Sequence, residues 1–150
     1  LQSRGLGDVY KRQGEMLTLK QLNLPVKIFV FNNEELSFIA MEMKASGYLD
    51  YATDFVNPDF GKLAEAAGIK GVSIQNSSEV DEKIMEALNH NGPVIVNVRV
   101  DKQELAMPPK IAYQQAKGFS KYLINAILDG RGTELKEMAK TNWMKYKSLY

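Results

Sequence analysis

Cysteine is absent from the 150 residues, which excludes a disulfide framework and any thiolate chemistry. Histidine is nearly absent. The one imidazole, His90, stands at a helix end between Asn89 and Asn91, and reads as a surface or capping residue rather than a base. Long apolar runs are missing too: no stretch reaches the roughly 18 residues a bilayer-spanning helix needs. The first residues carry no basic-then-apolar secretory pattern. Charge of one sign is scarce, since 19 Lys and Arg against 18 Asp and Glu leave a net +1. No overall field therefore attracts nucleic acid or an acidic substrate. There is no Ser/His/Asp set, no clustered metal ligands, no phosphate-cradling glycine loop, no repeat and no low-complexity tract.

What is present is ordinary globular composition, 45% hydrophobic and 25% charged, enough for one domain with a real core. Residues 1–13 (LQSRGLGDVYKRQ) fit neither a helical nor a strand period. They are expected to be a non-native-looking leader outside the fold, and the chain a piece of a longer protein. From Gly14 the pattern is regular. Met16 to Leu22 suits a short helix ending near Asn23, and Leu24-Pro25 breaks it. Val26 to Phe31 is a β-branched and aromatic run, expected as a strand buried on both faces. Glu34 to Ala45 has helical spacing, with Leu36, Ile39, Ala40 and Met43 on one side. Asn57-Pro58-Asp59 predicts a helix start with Asn57 as the cap, and Gly68 a stop. Gly71 to Gln75 is a short strand. Ser78 to Asp81 resembles a capping box, opening a helix with Val80, Ile84, Ala87 and Leu88 inward, and Val94 to Val100 is another strand.

Strands alternating with helices predict an α/β fold, a parallel sheet with flanking helices, over residues 14–109. Pro108-Pro109 closes it. A helical C-terminal tail is expected over 110–150, with helices at about 111–128 and 132–147.

Ligands of open parallel sheets bind beyond the carboxyl ends of the strands. The Val26–Phe31 run ends there on Asn32-Asn33-Glu34-Glu35. Asparagine and backbone carbonyl oxygens are hard ligands suited to Mg²⁺, which usually also holds a phosphate. On spacing alone the pair reads foremost as a strand-ending turn.

Longer stretches of the chain add to that reading. LPVKIFVFNN followed by FIAMEMKASG resembles the second half of the thiamine-diphosphate motif of the family that includes pyruvate oxidases and acetohydroxyacid synthases. NPDFGKLAEAAGIKG and NHNGPVIVNVRVD resemble that family's next helix and last strand. The tail ELAMPPKIAYQQAKGFSKYLINAILDGRGTELKEMAKTNW is similar to the C-terminus of its quinone-linked pyruvate dehydrogenases. The resemblance implies thiamine diphosphate, Mg²⁺ and FAD as cofactors, the FAD bound mainly by a domain outside this chain. It implies oxidative decarboxylation of pyruvate to acetate and CO₂, with a membrane quinone as electron acceptor. The whole enzyme would be a homo-oligomer, cytoplasmic and peripheral on the inner face of the cell membrane, reaching anionic lipid through its C-terminal helix. The alternatives are a phosphate-dependent pyruvate oxidase, an acetohydroxyacid synthase, or a non-catalytic membrane-docking module.

Carried over residue by residue, the resemblance makes Asn33 the side-chain ligand of Mg²⁺ and Glu35 the donor of a backbone carbonyl. Phe38 and Ile39 lie near the thiazolium ring, and Glu42 is the acidic residue at the substrate pocket. Core packing is the other reading of Phe38 and Ile39, and a solvated helix face that of Glu42. The family's GDG aspartate, placed without gaps, falls at Leu6, and Asp8 is two residues out of register. The chain by itself is therefore expected to be inactive.

Overall fold

The computed structural model describes residues 14–102 and 113–148, and these separate into two compact units. The first holds the described residues up to Glu34 together with Val56–Val100. The second holds Glu35–Phe55 and the described residues from Asp101 onward. The border expected after residue 109 lies outside the described residues.

In the first unit, α1 (Glu15–Leu22) buries Met16 and ends on Asn23 in the left-handed conformation. It leads into β1 (Lys27–Asn32). Then come α3 (Phe60–Ala66), β2 (Lys70–Ile74), a 3₁₀ turn (Ser77–Glu79), α4 (Val80–Asn89) and β3 (Val94–Arg99). The label α2 is kept for Ser37–Ala45 of the second unit. The strands form one parallel sheet in the order β1-β3-β2, with Phe29 and Val72 both in register with Val96. The fold is thus α/β, a parallel sheet flanked by helices.

Apolar burial on both faces holds it. Met16, Val30, Phe60, Ala64, Ile69 and Ile95 cluster together, and Val72, Ile74, Ala87, Val94 and Val96 form a second cluster. Central β3 is buried from Val94 through Asn97, the continuous apolar pattern of a strand covered on both faces. β1 departs from expectation. Among the described residues β1 is an edge strand, Phe31 is 63% exposed, and only Val30 and Asn32 are buried.

Three other local expectations change. Asp59, not Asn57, caps α3: its Oδ1 accepts from Gly61 N at 2.9 Å, Lys62 N at 3.3 Å and Ser73 Oγ at 2.5 Å. A carboxylate meets several donors at a helix N-terminus, while the Asn57 amide is engaged with Asn32. The Ser78–Asp81 capping box does not form. Glu79 instead accepts from Gln75 N and Asn76 Nδ2 and pairs with Lys83 one turn on. Leu88 is half exposed rather than inward. α3 lies so close to β2 that a Cβ on Gly71 would overlap the Gly61 carbonyl.

The second unit is helical: α2 (Ser37–Ala45), α5 (Tyr113–Leu128) and α6 (Gly132–Ser148). Tyr122, Ala126 and Met138 make its core, with Leu49, Phe119, Leu123 and Leu135 packed around them. A Cβ on Gly118 of α5 would overlap the Ala45 carbonyl, so glycine permits the approach of α5 to α2. On α2 the buried residues are Ala40 and Lys44, whereas Ile39, placed by its spacing on the same side as Ala40, is 47% exposed. No helix among the described residues is long and apolar enough to cross a membrane.

Candidate functional site

The carboxyl ends of the three strands surround an open basin of about 220 Å³ in the first unit, lined by Asn32, Glu34, Asn57, Asp59, Asn97 and Arg99 among others. Its floor is an amide network. Asn32 Oδ1 accepts from Asn57 Nδ2 at 2.9 Å, and Asn32 Nδ2 donates to Asn97 Oδ1 at 3.1 Å and to the Pro58 carbonyl at 3.4 Å. Asn32 and Asn97 are only 7% and 3% exposed. Buried amides are stable when their donors and acceptors are met, as here. Main-chain pairing continues the fixation, since the Asn32 carbonyl accepts from Val100 N at 3.2 Å. At the rim Arg99 pairs with Glu34 at 3.1 Å. Among the described residues no three His, Cys, Asp or Glu side chains gather as metal ligands.

The two asparagines of the pair do different things. Asn32 lines the basin; Asn33, half-buried, is not among its lining residues. Asn32 is the last residue of β1, and Asn33 follows it outside the strand. Glu34 then takes φ +56°, a left-handed turn directly after Asn33. Of the expected site residues, Asn33 alone belongs to the sheet unit.

Glu35, Phe38, Ile39 and Glu42 belong to the helical unit. Phe38, Ile39 and Glu42 fall within one arc of α2 and are all exposed, Phe38 at 74%. Neither apolar side chain is core in this chain. Glu35 is different. Its side chain is 6% exposed and accepts from Ser37 Oγ at 3.1 Å. Burial pushes its carboxyl above the ordinary value, with Lys44 and the Ser37 hydroxyl pulling the other way and Asp54 and Asp50 adding to the rise. A bridge with Asp54 and the bond from Leu36 N to the Thr53 carbonyl at 2.8 Å hold the approach to α2.

Sequence reasoning missed Asn57, Asn97 and the buried Lys44. Asn97 had a signal, a lone amide inside the apolar run VIVNVRV. Asn57 reads in sequence as a helix cap, and nothing in the α2 pattern marks Lys44 as buried.

The family model described as thiamine pyrophosphate enzyme, C-terminal TPP binding domain, matches residues 5–98, a stretch that takes in part of the expected leader. The chain is 34% identical over 127 residues to YdaP of Bacillus subtilis (strain 168), named as a thiamine pyrophosphate-containing protein; the match covers 85% of this chain and 22% of YdaP. It is 38% identical over 95 residues to the mitochondrial acetolactate synthase catalytic subunit of Saccharomyces cerevisiae, covering 63% of this chain and 14% of that protein. Against the acetolactate synthase isozyme 2 large subunit of Escherichia coli (strain K12), identity is 30% over 106 residues, covering 69% and 19%. The chain thus spans at most about a fifth of the length of these relatives.

Proposed function

This chain belongs to the thiamine pyrophosphate enzymes, as their C-terminal TPP binding domain, and on that premise we propose that it is the cofactor-binding end of an enzyme that oxidatively decarboxylates pyruvate to acetate and CO₂. The observation that carries the oxidative branch is the tail. Similarity to YdaP runs over 127 residues, so part of the tail also has a counterpart in a thiamine pyrophosphate-containing relative. The same tail resembles the quinone-linked branch in sequence. FAD held outside this chain, a membrane quinone, an anionic lipid surface, a homo-oligomeric whole enzyme and a peripheral cytoplasmic location belong to this proposal.

The chemistry of the donors at the end of β1 suits Mg²⁺ that is shared with a diphosphate. Asparagine oxygen and main-chain carbonyl are neutral, hard ligands, and no carboxylate cage capable of holding the ion alone is present among the described residues. Asn33 would hold Mg²⁺ through its side-chain oxygen, and Glu35 would contribute its main-chain carbonyl. When bound, thiamine diphosphate supplies an electron sink for loss of CO₂ from a 2-oxo acid. Phe38 and Ile39, exposed on α2, would exclude water beside the ring, and Glu42 would face the substrate as its acidic residue.

A second reading, an acetolactate synthase, is favoured by the names of the relatives matched over the domain. Incubating the full-length enzyme with pyruvate and a soluble electron acceptor separates the two. Acetate with stoichiometric acceptor reduction is expected; acetolactate formed without acceptor reduction would overturn the oxidative reading.

A further inference from the structure

We infer that Asn32 is a positioning residue, which fixes the end of β1 so that Asn33 is presented to the metal; this rests on the proposed role of Asn33 as a Mg²⁺ ligand. Three side-chain bonds hold the Asn32 amide: its oxygen accepts from Asn57, and its two N–H groups donate to Asn97 and Pro58. Its main-chain carbonyl is taken by Val100 N. Asn32 is thereby tied by its side chain to β3 and to the segment entering α3, and by its main chain to the residue after β3. Asn32 is the last residue of β1, so fixing it fixes the point from which Asn33 leaves the strand. A slip of one residue would move that point. A polar side chain buried on an edge strand has a cost that apolar packing would avoid, and the network offsets it only when complete. Partners that orient a metal ligand from behind are worth about 10- to 100-fold in metal affinity.

The test uses the ¹⁵N-labelled full-length enzyme with thiamine diphosphate, titrated with Mn²⁺ as a paramagnetic stand-in for Mg²⁺. Selective broadening of the Asn33 side-chain amide is the readout, with the backbone spectrum of β1 and β3 as the check on folding. The wild type is expected to broaden at Asn33 first. Asn32→Leu, near in size but without the three bonds, is expected to need about 10-fold more Mn²⁺ or to lose the selectivity. Asn57→Ala removes one bond from a half-buried residue and is expected to fall between them, and it decides the matter should Asn32→Leu not fold. Equal Mn²⁺ dependence in wild type and a folded variant overturns the positioning role while leaving Asn33 as a ligand. No broadening of Asn33 in the wild type overturns the ligand assignment and this inference with it.

Discussion

Lys44 Nζ of α2 lies 3.5 Å from Glu134 Oε1 in the first turn of α6, with only 6% of the lysine side chain exposed. The ammonium also sits 5.6 Å from the centre of the Tyr122 ring. Glu134 is shared, since Arg131 approaches its other oxygen at 3.9 Å while holding Asp50 at 3.0 Å. Breaking a buried pair from one side strands a charge. Lys44→Ala is therefore expected to destabilise the helical unit by about 2–4 kcal/mol, and Lys44→Met, which keeps the apolar stem, by less. Urea denaturation of both, with Glu134→Gln and the double variants, checks this. Strict additivity of the two sites would show that they do not couple.

Glu35 sets a pH dependence of opposite sign to the usual acid limb. Its folded pKa is raised by burial, so the folded state binds its proton more readily than the unfolded chain does. Its contribution is fully present below the unfolded value near 4.5 and is lost as pH rises through the higher folded value. Glu35→Gln is expected to raise the melting temperature at pH 7, with the gain vanishing below about pH 4.5. Glu79 gives the contrast. Lys83, Asn76 and the Gln75 amide hold its carboxyl down to about 2, so its contribution is present above 4.5 and lost as pH falls toward 2. Glu79→Gln should cost stability at pH 7 and little near pH 2. Melts of the two variants across this range would refute the assignment if their pH trends matched.

Close backbone approach predicts intolerance at two glycines. Gly71→Ala drives a methyl into the Gly61 carbonyl, and Gly118→Ala into that of Ala45. Backbone cannot yield as a flexible side chain can, so each is expected to cost about 3 kcal/mol. At Gly130 an added Cβ would meet nothing within 4 Å, and only the positive φ of 79° limits substitution. Chemical denaturation of the three alanine variants should rank Gly130→Ala mildest.

Much of the fold was legible because its strands and helix stops are local. Apolar runs, Asn23, Gly68 and the Val94 strand need no distant partner to be read. What was hidden is what depends on neighbours. Phe31 reads as core until β1 proves to be an edge among the described residues, and Asn57 reads as a cap until Asp59 takes the donors and leaves Asn57 to Asn32. Asn33 and the α2 residues enter the candidate site through resemblance alone. The supporting amides were not legible, because Asn32, Asn57 and Asn97 lie up to 65 positions apart.

In the full-length enzyme, Asn33→Leu is expected to lower Mg²⁺-dependent thiamine diphosphate affinity at least about 10-fold with little change in melting temperature. Asn33 directly follows β1 and is half-buried, so its loss strikes the ligand more than the core. Calorimetric titration with the cofactor and Mg²⁺ measures it. Wild-type affinity in the variant would remove Asn33 from the metal.

The tail makes the last prediction. Residues 131–150 carry five basic and two acidic side chains, a net +3, with one tryptophan. α6 spends part of its apolar stripe inside its own unit, where Met138 is buried and Leu135 packs beside it. Trp143 remains 63% exposed, and Lys136 and Lys140 are exposed on the same helix. A basic helix presenting tryptophan suits the interface of an anionic membrane, and each lysine near such a surface adds about 1 kcal/mol, screened by salt. The chain is expected to sediment with phosphatidylglycerol vesicles and to be released by high salt. Stopping the chain at Gly130 should abolish sedimentation, but it also removes Met138 and the Lys44 partner Glu134. The decisive variants are therefore Trp143→Ala and the pair Lys136→Glu, Lys140→Glu, which leave that packing in place. Loss of sedimentation in both, with melting temperatures kept, places lipid contact on α6. Sedimentation equal to wild type in both would mean that the helix only packs within the protein.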